Sequence, residues 1–308
     1  MKRIVIRVIT YNQEDVIHRA LDSVLCQKDW GLHRLVVSDD CSKDHTWDIL
    51  QEYKKKYPDI LDIHRNEHNL GIYGNVAQAA SYLPDFDLYG ELSGDDSYCN
   101  GYFERIQKLI DKQSIDTSEA IGFFSDFKIV NNEGKEKVFK QDSILTGYNL
   151  MSLKIRGIIS SRSLMVTKRV FDSYEPLLVG KGLNLMENQY DLQPHLIIKI
   201  SFYLPQVTTI YYSGLGVSVN ISNKRSAYNT TESIEFWNYC LENYIKNKRD
   251  FHFAKYELVK AHFYLRPSFF NIPVMYYHFS LGQLPKLRLP IIQTLRLFLS
   301  YMKFWIKN

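Results

Sequence analysis

The sequence predicts an α/β fold in which a mainly parallel central sheet is flanked by helices, with a helical C-terminal extension. Three observations carry this. Short β-branched runs alternate with helically spaced apolar residues over the first hundred positions, the pattern of βαβ units. Several of those runs end abruptly in Asp, Asn, Ser and Thr. A chain of 308 residues that is 45% hydrophobic has enough apolar material for a sizeable core.

The elements follow in order. Residues 3–9 are apolar and β-branched around Arg7, Thr10–Glu14 breaks the run, and Val16, Ile17, Ala20, Leu21 and Val24 recur at helical spacing. Leu35–Val37 is a second strand that stops in Ser38–Thr46. The helix after it places Trp47, Ile49, Leu50 and Tyr53 at its apolar positions and Lys54–Lys56 at its end, where cations suit the helix dipole. Ile60–His64 starts a third unit, which passes through Asn66–Gly71 into a helix carrying Val76, Ala79, Ala80 and Leu83. The fourth run, Leu88–Leu92, ends at Ser93-Gly94-Asp95-Asp96. Beyond it the pattern predicts a helix over 102–112, a strand over 121–130 with a turn at Asn131–Gly134, and strands over 157–166 and 207–212. Helices recur between 233 and 265. The division expected is a catalytic domain over 1–225 and a helical, basic and aromatic extension over 226–308.

In an open parallel sheet the ligand crevice lies outside the carboxyl ends of the strands. The loops Thr10–Glu14, Asp39–Asp44 and Ser93–Ser97 should therefore share one rim. Any one of them is also ordinary strand-to-helix connection chemistry, with Asx turns and capping side chains. Asp95 and Asp96 are a different matter, because two adjacent carboxylates at a buried strand end need a cation or hydrogen bonds to offset their desolvation. Mn2+ or Mg2+ suits ligation shared between one or two carboxylates and substrate phosphates.

Composition narrows the class. The net charge of +4 does not suggest a nucleic-acid binder. The four cysteines have neither zinc-ligand nor disulfide-framework spacing, which fits reduced thiols in a cytoplasm. The run after Met1-Lys2-Arg3 is too short for a signal peptide or membrane span. After Glu257 seven lysines and arginines appear with no acid, so the tail is basic and the body slightly acidic.

The ordered motifs Val8-Ile9-Thr10-Tyr11-Asn12-Gln13-Glu14, Val37-Ser38-Asp39-Asp40-Cys41-Ser42-Lys43-Asp44-His45-Thr46, Asn69-Leu70-Gly71 with Asn75, and Leu92-Ser93-Gly94-Asp95-Asp96 resemble those of the family 2 glycosyltransferases of GT-A fold. The resemblance covers roughly residues 3–220 and is strongest over the first hundred. It implies inverting transfer from a nucleotide-diphosphate sugar, of uridine type, to a glycan or lipid-linked acceptor in bacterial surface-polysaccharide synthesis. Thr10, Tyr11, Asn12 and Glu14 would flank the nucleotide, Asp39 would accept from the base edge with Asp40 beside it, and Asn69, Gly71, Asn75 and Gly94 would complete the nucleotide site. Asp95 and Asp96 would hold the metal. Two departures stand out: Ser93 occupies a position where the family often has aspartate, and Gly74 one where it often has arginine.

Inversion requires a group that takes the acceptor hydroxyl proton. Glu187, Asp191 and His195 are spaced by four, along one face of a continuous helix, although Pro194 disturbs that turn. Matching Tyr190-Asp191-Leu192 to the family pattern puts Asn188 and Gln189 where a Glu-Asp pair is usual, so the base is Glu187, with Asp191 as alternative. The departures also motivate a second reading, a nucleotide-sugar-binding or scaffold protein that has lost turnover. A nucleotidyltransferase is disfavoured by the lack of a Gly- and Lys-rich phosphate loop. Residues 291–306 are interrupted by Arg296 and Lys303, which argues against a membrane span and leaves two readings: a basic amphipathic helix on the inner face of the cell membrane, or one packed on protein.

Overall fold

The computed structural model describes residues 1–141, 161–174, 190–191, 193–213, 225–243, 245 and 247–265. The chain divides into two compact units, one of residues 1–179 with 189–220 and one of 180–188 with 221–308.

Among the described residues of the first unit, nine strands form one mixed sheet. Its parallel part holds β1 (Ile4–Thr10), β2 (Leu32–Asp39), β3 (Leu61–Arg65) and β4 (Leu88–Ser93) in the order 3-2-1-4. The connections are α1 (Ile17–Leu25), α2 (Thr46–Lys56) and α3 (Gly71–Ala80). β1 is buried on both faces, which is why it reads as a continuous apolar run rather than an alternating one. Ile4, Ile6 and Val8 join one core with Ile17, Leu21 and Val24 of α1, while Val5 joins a second core on the other face with Phe86, Tyr89, Phe124 and Val166. Each fully buried Val, Leu or Ile contributes about 1.5–3 kcal/mol. The five buried residues of α1, Ile17, Ala20, Leu21, Val24 and Leu25, are therefore enough to seat that helix on the sheet.

The rest of the sheet is built differently. After β5 (Ser97–Tyr98) and α4 (Tyr102–Gln113), β6 (Ile121–Val130) turns into β7 (Glu136–Phe139), and β8 (Met165–Thr167) lies antiparallel between β4 and β6. α5 (Lys168–Phe171) follows β8, and β9 (Ile200–Tyr212) runs parallel to β6 and pairs with β5. Two sequence expectations are corrected here. Among the described residues of the expected strand over 157–166, Ser161–Ser163 is a short 3-10 turn and the strand is confined to Met165–Thr167. The strand expected over 207–212 begins at Ile200, running through Pro205. The pairing with β6 shifts register between Leu204 and Val207, so the proline's missing N–H is not demanded by the ladder.

The described part of the second unit is a helix pair, α6 (Arg225–Asn243) and α7 (Lys248–Leu265). Trp237 of α6 packs edge-on against Phe253 of α7 with ring centroids 5.6 Å apart. No helix among the described residues is long and apolar enough to cross a membrane. The basic segment beyond residue 265 lies outside the described residues.

Candidate active site

The carboxyl ends of the four parallel strands are in register: Thr10 pairs with Asp39, Asp39 with Arg65, and Ile9 with Ser93. The ladder continues one residue into each loop, since the Asp40 N–H donates to the Thr10 carbonyl (2.9 Å), the Asn66 N–H to that of Asp39 (2.9 Å) and the Gly94 N–H to that of Ile9 (3.0 Å). With β2 on one side of β1 and β4 on the other, the chain reverses direction across the sheet here. This is the switch point where ligands of such sheets bind. The three polar loops thus share one edge.

The first two loops are tied together by reciprocal bonds. Asn12, at φ +51°, donates its N–H to Ser42 Oγ (2.9 Å), while its own Oδ1 accepts from the Lys43 N–H (2.7 Å). The Glu14 N–H donates to Asp44 Oδ2 (3.0 Å) and Glu14 Oε2 accepts from the His45 N–H (2.8 Å). Asn12 and Glu14 therefore hold the second loop in place; Tyr11 is half-buried between Thr10 and Asn12.

Asp39 is fully buried. The Ser42 N–H and hydroxyl donate to its carboxylate, and Arg65 Nε lies 3.3 Å from Oδ2. Burial raises its pKa above the ordinary carboxylate value, opposed by Ser42 and by the Arg65 charge. Asp40 points the other way: its Oδ1 accepts from Asn66 Nδ2 (2.9 Å) and the Leu70 N–H (2.8 Å), which fixes the third loop. Asn69 donates to the Asp40 carbonyl (3.3 Å) and accepts from the Gly71 N–H (3.1 Å), with Gly71 at φ +74°. Asn75 is buried, accepting from Ser38 Oγ (2.6 Å) and Asn66 Nδ2 (3.0 Å) and donating to the Ser38 carbonyl (3.1 Å). Its amide braces β2 and the third loop from within.

At the end of β4, a Cβ on Gly94 would stand 2.2 Å from Gln13 Oε1, 3.0 Å from Ile17 Cδ1 and 3.1 Å from Thr10 Cβ, so a side chain there would displace Gln13. Gln13 Oε1 accepts from Thr10 Oγ1 (2.7 Å), and the nearby Gln13 side chain favours the charged form of Asp95. Asp96 is buried, and its Oδ1 accepts from the Tyr212 N–H (3.0 Å). Burial and the adjacent Asp95 charge push the Asp96 carboxyl up to about 7; burial also raises Asp95. Such a pair is short of positive charge, and a hard divalent cation with water and phosphate oxygens completing its shell suits this donor set. Among the described residues no group of three or more His, Cys, Asp or Glu side chains gathers to form an all-protein cage.

Two arginines lie near this pair, of which sequence reasoning did not single out Arg19. Arg19 of α1 donates to the Asp95 carbonyl and lies 3.5 Å over the Tyr212 ring; Arg162 lies 4.4 Å over the Tyr211 ring. Arg65, also missed, could have been found by counting to the end of the third strand. Nothing local in the sequence marks Arg19.

The acceptor-side candidates fare unequally. Glu187 lies outside the described residues. Asp191 lines a cleft with Tyr89, Glu91, Ser161, Tyr174 and Tyr190. Its carbonyl accepts from the His195 ring (Nδ1, 2.9 Å), so the spacing of four is realised. His195 itself is fully buried beside the Phe124 ring. Tyr190 fastens this segment to the sheet: its hydroxyl donates to Glu91 Oε2 (2.6 Å) and accepts from Arg7 Nη2 (2.6 Å), and Arg7 pairs directly with Glu91.

Comparison with known proteins agrees with this arrangement. Residues 5–137 match the family described as "Glycosyl transferase family 2". The dTDP-rhamnosyl transferase RfbG of Shigella flexneri is 30% identical over 102 residues, 33% of this chain and 35% of RfbG. The chain's matches span between 21% and 35% of the length of curated relatives such as these. S. aureus TarS 1-349, solved in complex with UDP-GlcNAc, superposes with a TM-score of 0.60 at 16% identity, over 90% of this chain and 79% of TarS. A mannosyltransferase from Pyrobaculum calidifontis, in complex with GDP-Man and Mn2+, superposes with a TM-score of 0.50 at 12% identity, over 98% of this chain and 83% of that one. The match to the family 2 glycosyltransferases thus covers residues 5–137, and the strand order and shared loop edge are those of the GT-A fold on which the chain superposes.

Proposed function

We propose that the protein transfers a sugar, with inversion, from a nucleotide-diphosphate donor to a glycan or lipid-linked acceptor, in surface-polysaccharide assembly at the cytoplasmic face of a membrane. The observation that carries this reading is the alignment of Thr10, Asp39, Arg65 and Ser93 along one sheet edge, with the Asp95–Asp96 pair immediately beyond it. In this reading the base of the nucleotide lies toward Asp39, with Thr10 and Tyr11 flanking it, and Asn12, Glu14, Asp40, Asn69, Gly71 and Asn75 keep the surrounding loops in shape. Asp95 and Asp96 would hold Mn2+ or Mg2+. That ion, when bound, would stabilise charge developing on the leaving diphosphate as a Lewis acid.

The acceptor oxygen attacks the anomeric carbon as the bond to the diphosphate oxygen breaks, and Glu187 or Asp191 takes the acceptor proton. The basic tail supplies contact with an anionic leaflet. Support for a nucleotide-sugar donor comes from the complexes named above, with UDP-GlcNAc for TarS and GDP-Man with Mn2+ for the mannosyltransferase.

A donor screen with UDP-, dTDP- and GDP-sugars, with Mn2+ or Mg2+ and lipid-linked acceptors, tests the reading by nucleoside diphosphate release. Glu187→Gln or Asp191→Asn, whichever alters the base, should lose transfer and keep donor binding. Metal-dependent binding without release under every acceptor would instead favour a binding protein. The absence of Asp at 93 and Arg at 74, and the burial of Asn75 inside the fold, motivate that second reading.

A further inference from the structure

We propose that Arg19 is a diphosphate-binding residue of this site, a role that rests on the nucleotide-sugar reading above. A strand end carrying two neighbouring carboxylates repels an incoming diphosphate unless a fixed cation stands close by. Position 74, where the family pattern often supplies such a cation, is glycine. Arg65 is committed elsewhere, with Nε on Asp39 and Nη2 donating to the Ser42 carbonyl (2.7 Å).

Arg19 is placed and held to serve. It projects from the early part of α1, and Nη2 donates to the main-chain carbonyl of Asp95. Its guanidinium carbon lies 3.5 Å from the centroid of the Tyr212 ring. The Tyr212 N–H in turn donates to Asp96 Oδ1 at 3.0 Å. Arg19, Asp95, Asp96 and Tyr212 thus close a ring of contacts across α1, the end of β4 and the end of β9.

The charge of Arg19 is unspent. Among the described residues it makes no ion pair within 4.0 Å, its contacts being the Asp95 carbonyl and the Tyr212 ring. Its Nε is shielded from solvent and has no hydrogen-bond partner among the protein atoms. A guanidinium fixed in plane by a carbonyl and an aromatic face loses little further freedom when it forks onto phosphate oxygens, which distinguishes arginine from lysine at such a position. Nearby Arg162 stacks on Tyr211 and Phe127 rings instead.

The test uses the full chain with Mn2+, titrated with UDP and, by competition, with uridine. Arg19→Gln should weaken UDP by about tenfold or more, the scale of one charge-assisted hydrogen bond, and leave uridine within about twofold of wild type. Arg19→Lys should restore part of the UDP affinity, and its circular dichroism should match wild type. Tyr212→Leu, which keeps the cation and removes its platform, should weaken UDP less than Arg19→Gln does. Equal UDP affinity in Arg19→Gln and wild type, or a parallel fall for UDP and uridine, overturns the assignment. If wild type binds none of UDP, dTDP or GDP, the nucleotide reading itself fails and takes this role with it. If wild type binds and the Arg19 variants are indifferent, only the Arg19 role fails.

Discussion

Replacing Glu91 with Gln should loosen the strand that ends in the Asp95–Asp96 pair, because Glu91 neutralises a cation inside the sheet. The Arg7 side chain is 3% exposed and that of Glu91 32%. Glu91 Oε2 accepts from Arg7 and from the Tyr190 hydroxyl, with the Tyr89 hydroxyl at 3.4 Å. Removing one partner of a buried pair destabilises by about 3–5 kcal/mol, mostly through the charge left behind. Here the remaining charge keeps the Tyr190 hydroxyl at 2.6 Å and two ring faces at 5.4 and 5.5 Å, and the glutamine oxygen can still accept one bond. Those contacts offset part of the loss and bring the expectation to about 2–3 kcal/mol. That corresponds to roughly 30- to 150-fold faster amide exchange in peptides covering β1 and β4, which open when the sheet unfolds. Arg3→Gln is the internal control. Its pairs with Asp85 and Asp87 are on the surface, with the Arg3 side chain 44% exposed, so solvent screening should leave it a much smaller effect than Glu91→Gln. The double variant Arg7→Met/Glu91→Leu should recover most of the stability lost in Glu91→Gln. Exchange in Glu91→Gln no faster than in Arg3→Gln would refute the reasoning.

Two further outcomes follow from the loop geometry. Gly94→Ala would force Gln13 off Thr10 to relieve the 2.2 Å approach, which should cost about 1–3 kcal/mol in thermal or denaturant unfolding and weaken nucleotide binding at the same time. Burial works to raise the Asp44 pKa, but Thr46 and the Glu14 N–H outweigh it, so the folded value lies below the ordinary 3.8. Its contribution is therefore complete above the unfolded pKa and lost as pH falls through the folded one. The stability difference between wild type and Asp44→Asn should hold steady from neutral pH down to about 5 and shrink below 3.8.

The first four strands were legible because each βαβ unit writes its own period: apolar run, polar stop, helical spacing. Their carboxyl-end loops were legible for the same reason, and the register of Thr10, Asp39 and Ser93 follows once the strand order is known. The second half was harder to read. β5 has two residues and β8 three, too short for periodicity, and β9 hides a proline at a register shift. What sequence could not supply was partnership across distance. Arg19 meets the Asp95 carbonyl across 76 positions, Tyr212 meets Asp96 across 116, and Arg7 meets Tyr190 across 183. Residue type alone also does not show which bonds a side chain makes: Asn75 lies buried, holding Ser38 and Asn66, and Asp40 turns inward to the third loop. These side chains shape the crevice by bonding to its walls.

The central claim is that the strand-end carboxylates form a metal-assisted nucleotide-diphosphate site. Calorimetric titration of the full chain with UDP, dTDP and GDP, in Mn2+ and again in chelator, tests it most directly when repeated on Asp95→Asn. The account expects at least one nucleotide to bind wild type in Mn2+, with affinity falling about tenfold or more both in chelator and in Asp95→Asn. Nucleotide affinity indifferent to the metal and to Asp95 would contradict it.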